Sequence, residues 1–479
     1  MKTSILSLLI ALAMMPLSAF AIEYDNDISV DGNVYGLIYS NNTAVLTQWG
    51  DAGADDPAGV TVPAEIYVKA LNEKFRVIGV GENAFSKKNV VKITVPDDLE
   101  FLEPYAFSGC PKLTTVNIPE AVTSIPNGLF SNSPCLSTFT TKRTSFTEVG
   151  NKAFSGCAIT SWTYPVTRIG DWAFYNCTRL AEVKLFDGLT YIGDYGFSGT
   201  ALKEVILPKS ATDIQNEAFS KMPNLTTFAF GESCPIFSTK GMGFVFNGST
   251  KLENLYLGDK CTLAPGNVGI PCKGFINLKS FTVSDNHSTY SSDEGVLYSK
   301  DGTTLIRVPS GMPVESYYYV PSRVTTLADH CFYEQQNVKA VFLPENLREI
   351  GTEVFKESKI QSLIAPGATP ASLANSWSLE GLNTRCHLYV NENSYSLYFS
   401  KWNSNGKMFY AMSRIGSKCG CDNNKDFLVN VSDITSLIKA LIYNESNYDY
   451  GFDDYDDINQ DGKFNVSDVT YLINFILNK

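Results

Sequence analysis

The stretch Ile169-Gly170-Asp171-Trp172-Ala173-Phe174-Tyr175-Asn176-Cys177 decides the fold, because variants of it recur along the chain. Its phenylalanine returns as Phe85, Phe107, Phe130, Phe154, Phe174, Phe197 and Phe219, at intervals of 22, 23, 24, 20, 23 and 22 residues. Between these copies runs a second pattern, apolar-x-x-apolar-x-apolar and often proline. Examples are Val90-Ile93-Val95-Pro96, Leu113-Val116-Ile118-Pro119, Leu202-Val205-Leu207-Pro208 and Val338-Val341-Leu343-Pro344, and it starts again without proline at Leu180, Leu225, Leu252 and Leu278. A fixed period of this length marks a stack of similar coils. The alternating half predicts one short strand in each coil with one face inward, closed by the proline where no further ladder donor is needed. The Ala-Phe half returns across the other side with its ring inward, so each coil is stable only against its neighbours.

Ile-Gly-x-x-Ala-Phe-x-x-Cys with Leu-x-x-Val-x-Leu-Pro resembles the BspA-like bacterial surface class of leucine-rich repeat, over residues 79–366. The resemblance implies a leucine-rich-repeat solenoid of short parallel strands, one per coil, with an extended surface for a protein or glycan. The phase breaks between Phe275 and Phe332, where residues 290–298 and 305–309 read as a hairpin inserted at about 284–310. Solenoid ends expose strand edges and need covers. Residues 22–78, with Val34-Tyr35-Gly36-Leu37-Ile38-Tyr39, read as an N-terminal β cap. Residues 367–415, with Leu388-Tyr389-Val390, Tyr395, Tyr398, Phe399 and Trp402, read as a C-terminal β-rich cap.

The 479 residues carry 38 Lys and Arg against 50 Asp and Glu, a net charge of -12. That balance argues against nucleic acid, whose binding needs clustered cations. Lys2, the apolar run Ile5 to Met15 and Ala19-Phe20-Ala21 read as a signal peptide over residues 1–21, so the protein is expected to be secreted. Pro16 and Ser18 end the run before it could span a bilayer, and no later segment is apolar enough for membrane insertion. Cys110, Cys157 and Cys177 each follow a repeat phenylalanine by three residues, which predicts small buried free thiols rather than bridges. The pairing of Cys419 and Cys421 stays open.

The C-terminus changes character. From Asp422 to Lys479 there are ten Asp and one Glu against four Lys, and residues 422–441 repeat at 457–476. In each copy, oxygen-bearing side chains fall at loop positions 1, 3, 5, 9 and 12: Asp422, Asn424, Asp426, Asn430 and Asp433, then Asp457, Asn459, Asp461, Asn465 and Asp468. A twelve-residue loop of this kind wraps a calcium ion with a backbone carbonyl from position 7, here Leu428 and Lys463. An amphipathic helix follows each loop, with Ile434, Leu437, Ile438, Leu441 and Val469, Leu472, Ile473, Ile476 on one face. Residues 419–479 thus resemble a type I dockerin, a small all-α calcium-binding domain. The resemblance implies two calcium ions, a cohesin-like partner, and contact through Val431, Ser432, Lys439, Val466, Ser467 and Asn474, while Ile438 and Ile473 serve packing between the helices.

No converging set of titratable groups suggests catalysis, since His287, His330 and His387 occupy unrelated repeat positions. The reading is a secreted, non-catalytic binding protein associated with a cell surface or multiprotein assembly. A dockerin-borne carbohydrate-active enzyme and a purely structural spacer are its alternatives. Outward strand positions Thr94, Asn117, Lys184, Ile206, Ala229, Tyr256, Thr282 and Phe342 are expected to line the binding face. Position 6 of a calcium loop favours Gly for a sharp turn; the second loop has Gly462 but the first has Phe427, at a cost of roughly 1–2 kcal/mol. Calorimetric calcium titration should therefore resolve two unequal sites, the first loop the weaker, and two equally tight sites would refute this.

Overall fold

A computed structural model describes residues 23–50, 59–232, 236–237, 245–261, 274–314, 316–382, 386–402, 409, 411–414 and 470. The chain divides into two compact units, Met1–Lys251 with Lys260–Gly269, and Leu252–Asp259 with Ile270–Lys479.

The first unit starts with a twisted sheet ordered Asn26–Val30, Asn33–Ile38, Thr43–Gln48, Glu73–Val80, Glu65–Val68, with Phe101–Leu102 also paired to Glu73–Val80. The first three strands are antiparallel; Thr43–Gln48 then runs parallel to Glu73–Val80. From there the coils stack in parallel. Val60–Thr61, Lys92–Thr94, Thr115–Ile118 and Thr138–Thr141 make one four-stranded sheet, and Ser161–Trp162 pairs with Glu182–Val183. Each strand is two to four residues long because only the apolar-x-apolar core of the pattern is extended before the chain turns.

One strand per coil proves too few. A second parallel sheet consists of five two-residue strands, Glu148–Val149, Arg168–Ile169, Tyr191–Ile192, Asp213–Ile214 and Ile236–Phe237, the first three of which stand directly before the repeat glycine. Val149, Ile169, Ile192 and Ile214 point inward and are fully buried, while Glu148, Arg168, Tyr191 and Asp213 occupy the alternate position. After Val149, Ile169 and Ile192 a glycine ends the alternation at two residues. A Cβ on Gly170 would lie 2.7 Å from the backbone nitrogen of Asn151, so the coils close to this distance only without a side chain.

Behind the glycine, an Asn or Asp carries the register from coil to coil. Asn127 Oδ1 accepts from the amide of Asn151 at 2.7 Å, Asn151 from Asp171 at 2.8 Å, Asp171 from Asp194 at 3.0 Å and Asp194 from Asn216 at 2.9 Å. The Ala-Phe turn is tied in the same way: Phe154 N donates to Ala173 O at 2.8 Å and Phe174 N to Gly196 O at 2.8 Å. Between these ladders the seven repeat phenylalanines are fully buried. Their rings stand 5.2–5.7 Å apart from Phe85 to Phe219, and Trp49 stacks on Phe85 at 4.9 Å to close the column.

The cysteines at the expected position are free and buried, and they do more than fill space. Cys110, Cys157 and Cys177 each place Sγ 3.0 Å from the carbonyl of the preceding coil's phenylalanine, Phe85, Phe130 and Phe154. Ser133 and Ser249 use Oγ for the same bond, to Phe107 at 3.0 Å and Phe219 at 2.7 Å. The position selects a small donor that reaches a carbonyl one coil away; at Phe85, Phe130 and Phe154 that oxygen also accepts an amide of its own turn, so the thiol adds a second bond to it.

In the second unit, Asn254–Leu257 pairs with Ser280–Val283. Tyr290–Asp293 and Val296–Ser299 form an antiparallel hairpin turning through Glu294 and Gly295, both at positive φ. It leads a six-stranded sheet that continues through Thr304–Arg307, Thr326–Leu327, Glu349–Ile350 and Ser372–Leu373. A five-stranded parallel sheet contains Tyr317–Tyr319, Ala340–Phe342, Ser362–Ala365, His387–Val390 and Ala411–Arg414. The aromatics expected in a β-rich C-terminal cap lie instead on a helix, Tyr395–Trp402. Their spacing explains it: Tyr398 and Trp402, one turn apart, are buried together at a ring distance of 4.9 Å, which a two-residue strand period could not achieve.

Two outcomes test this packing. Phe174→Ala should lower the unfolding free energy by about 3–5 kcal/mol, read as a shift of the denaturant midpoint; a near-neutral result would show that the ring column does not bear load. Burial pushes the Cys110 and Cys177 thiols up to about 12. In the native protein a thiol reagent should therefore modify exposed Cys135 while Cys110, Cys157 and Cys177 react only on unfolding, and their rapid native labelling would contradict the buried bonds.

Candidate binding surfaces

The outward positions of the strands are the natural place for a ligand, since the inward ones are spent on the core. In the first unit, Thr94, Thr115, Thr138 and Thr140 stand on this face, with Thr115 and Thr138 hydroxyls 3.4 Å apart. Asn117 is less available than its position suggests. Its Nδ2 donates to Val95 O and its Oδ1 accepts from Val95 N, both at 2.8 Å, so the side chain continues the backbone ladder. Lys184 lies just past Glu182–Val183 with Nζ 4.9 Å from the Phe186 ring centre. Ala229 is half-buried, while Ile206 is 60% exposed, an apolar side chain standing free on the face. In the second unit Tyr256 is 41% exposed, Thr282 is exposed and Phe342 is half-buried.

Two aromatic groups escaped the sequence reading. Trp172 takes a left-handed backbone conformation, φ 60°, at the position before the repeat alanine, and Tyr195 does the same one coil on at φ 56°. Their rings stack at 4.3 Å, with Tyr175 edge-on to Trp172 at 4.5 Å, and Tyr195 donates to Glu217 at 3.0 Å. Beside them the Arg168 guanidinium lies 3.5 Å from the Tyr191 ring centre. The second group is Tyr317 and Tyr319, whose spacing around inward Tyr318 was the available signal. Tyr319 stacks on Phe342 at 4.3 Å.

The opening sheet flanks an open cleft of about 760 Å³ between its two edge strands, Asn26–Val30 and Glu65–Val68. Ile28, Val30, Tyr35, Trp49, Ile66 and Val68 supply its apolar lining, and exposed Asp31, Glu65 and Tyr67 supply its polar one.

The histidines have structural partners. His287 Nδ1 accepts from the amides of Thr289 at 3.1 Å and Tyr290 at 3.0 Å. His330 Nε2 lies 3.2 Å from Glu353, whose carboxyl is held below its ordinary range first by Lys356 at 2.7 Å. His387 stacks on Tyr389 at 4.4 Å. Among the described residues no group of three or more His, Cys, Asp and Glu is placed to hold a metal, and no helix is long and apolar enough to cross a membrane. The signal peptide expected at 1–21 lies outside the described residues. So do the expected calcium loops, Asp422 to Asp433 and Asp457 to Asp468, with the expected partner-contact positions Val431, Ser432, Lys439, Val466, Ser467 and Asn474, and Cys419 and Cys421.

Among solved structures, a leucine-rich cell-surface protein of Faecalibacterium prausnitzii is 18% identical, over 83% of this chain and 97% of that one, with a TM-score of 0.36. A leucine-rich-repeat protein of Bacteroides ovatus is 18% identical over 71% and 95%, TM-score 0.41. The pneumococcal vaccine antigen PcpA is 17% identical over 79% and 97%, TM-score 0.27. No curated protein matches the chain. The BspA type leucine-rich repeat region matches in six copies, over residues 67–177, 147–268 and 315–379, and the gap at 269–314 holds the hairpin that interrupts the coils. These matches take in more than half of the sequence, and the chain belongs to the BspA-type leucine-rich-repeat family.

Proposed function

We propose that this protein is a secreted, non-catalytic binding protein whose repeats grip a protein or glycan target at a cell surface. Its C-terminal module, in this reading, folds around two calcium ions and docks on a cohesin-like partner. The observation that carries the first part is the outward strand face. There, successive coils present Thr94, Thr115 and Thr138 on one parallel ladder, and exposed Ile206 stands outward on another. Such a surface can match an extended target residue by residue while needing no reacting group.

The second part rests on the duplicated loop pattern at Asp422 to Asp433 and Asp457 to Asp468. Carboxylate and carbonyl oxygens at those intervals suit a hard divalent cation, and a segment of this size gains folding free energy from holding one. Attachment through that module, rather than through a membrane helix, would then keep the repeats at the surface.

Capture from the secreted and surface proteins of the source organism, with the full chain as bait, separates the two parts. A docking partner should be retained in calcium and lost both in chelator and in the Asp457→Ala, Asp468→Ala variant, with Ile206→Asp leaving it in place. A repeat-face target should be weakened by Ile206→Asp whether or not calcium is present. Polysaccharide turnover by the purified chain would favour the enzyme reading instead.

A further inference from the structure

The five-stranded sheet of the second unit has two apolar faces. Tyr318, Val341, Leu363 and Leu388 point into the repeat core. The register sets Tyr319, Phe342, Ile364 and Tyr389 side by side on the opposite face, with Tyr317, Ala340, Ser362 and His387 in the next row. Exposure falls steeply along the first row, from 61% at Tyr319 to 3% at Ile364 and 2% at Tyr389. Ala340, Ile364 and Tyr389, with Phe342 against them, form a cluster separate from the core, and among the described residues all its members come from the sheet. A tyrosine standing out from a parallel sheet keeps much of its ring in water unless another layer lies over it. Tyr319 shows the uncovered condition and Tyr389 the covered one.

We infer that the C-terminal segment, residues 415–479, is that layer, seated on the face formed by Phe342, Ile364 and Tyr389. The segment follows directly from Ala411–Arg414, the edge strand of this same sheet, next to His387–Val390. Its apolar positions, Ile434, Leu437, Ile438 and Leu441 with their counterparts from Val469 to Ile476, are too few to make a sufficient core alone, so a second apolar surface stabilises it. Charge agrees. The segment carries eleven acidic residues against four lysines from Asp422 onward, and two lysines stand where neighbouring strands enter the sheet, Lys339 before Ala340–Phe342 and Lys359 before Ser362–Ala365. Lys339 is held below the usual lysine range by burial and then by the like charge of Lys359, a pair that an acidic layer would relieve. The seat belongs to the repeat sheet and does not depend on an outside partner, so a chain that captures nothing can still show it.

The test uses the full chain. Equal amounts of isotopically heavy and light protein are mixed, treated with a short amine cross-linker, and mapped by mass spectrometry. Links from Lys339 or Lys359 to Lys425, Lys439, Lys463 or Lys479 within one isotopic chain are expected. Ile364→Asp should abolish them and speed proteolytic release of the C-terminal segment by about tenfold, with circular dichroism showing the repeats still folded. Should that variant unfold, Phe342→Asp, at a half-buried position, replaces it with the same expectation. Absence of these links in the unsubstituted chain would overturn the proposal, as would links joining heavy to light chains, which would make a second copy the cover. Links that persist in a folded Ile364→Asp variant would overturn it too.

Discussion

Backbone hydrogen bonding between coils sets one distance on which the remaining structure depends. Paired strands lie about 4.8 Å apart, and every coil must keep that spacing along its whole circuit. The phenylalanine column obeys it: rings tilted slightly from the stacking axis sit at 5.2–5.7 Å, close enough for continuous contact without compressing the ladder. Gly170 obeys it by lacking a side chain where Asn151 passes. The Asn and Asp ladder and the thiol or hydroxyl donors obey it by bonding to groups one coil away.

That constraint explains which positions tolerate variety. Inward and turn positions repeat because each must fit its own image in the next coil. Outward positions face water, so threonine, glutamate, lysine and isoleucine succeed one another there at little cost to the fold. A binding surface can therefore be written on the outside of a rigid frame, and the same freedom leaves the ligand undetermined by the frame. Even the left-handed position two residues before each phenylalanine, which holds Lys152, Trp172, Tyr195 and Glu217, varies because its side chain points away from the column.

Where the stack meets its ends the logic changes. The opening sheet covers Phe85 with Trp49 and replaces parallel coils with antiparallel strands, which leaves two edges flanking an open cleft. In the second unit the outward face turns aromatic at Tyr317, Tyr319 and Phe342 and becomes buried by Tyr389. A sheet that carries apolar side chains on both faces belongs between two layers.

The sequence by itself determined the coil, its period, the inward phenylalanines and the burial of the three cysteines. Each of these follows from a side chain meeting its own copy at a fixed offset. The duplicated Asp and Asn spacing of the C-terminus is likewise read from the sequence alone, because its positions lie within a dozen consecutive residues, and the calcium reading built on it is the proposal made above. Only the tertiary structure decided the rest. The second strands at Glu148–Val149, Arg168–Ile169, Tyr191–Ile192 and Asp213–Ile214 are two residues long, too short for periodicity to register, and exist because the neighbouring coil offers them a partner. The thiol bonds, the Trp172–Tyr195 stack and the row from Tyr319 to Tyr389 join residues about one coil or more apart in the chain. Alternation tells which way a side chain points, but only the stacked coils fix what it meets there.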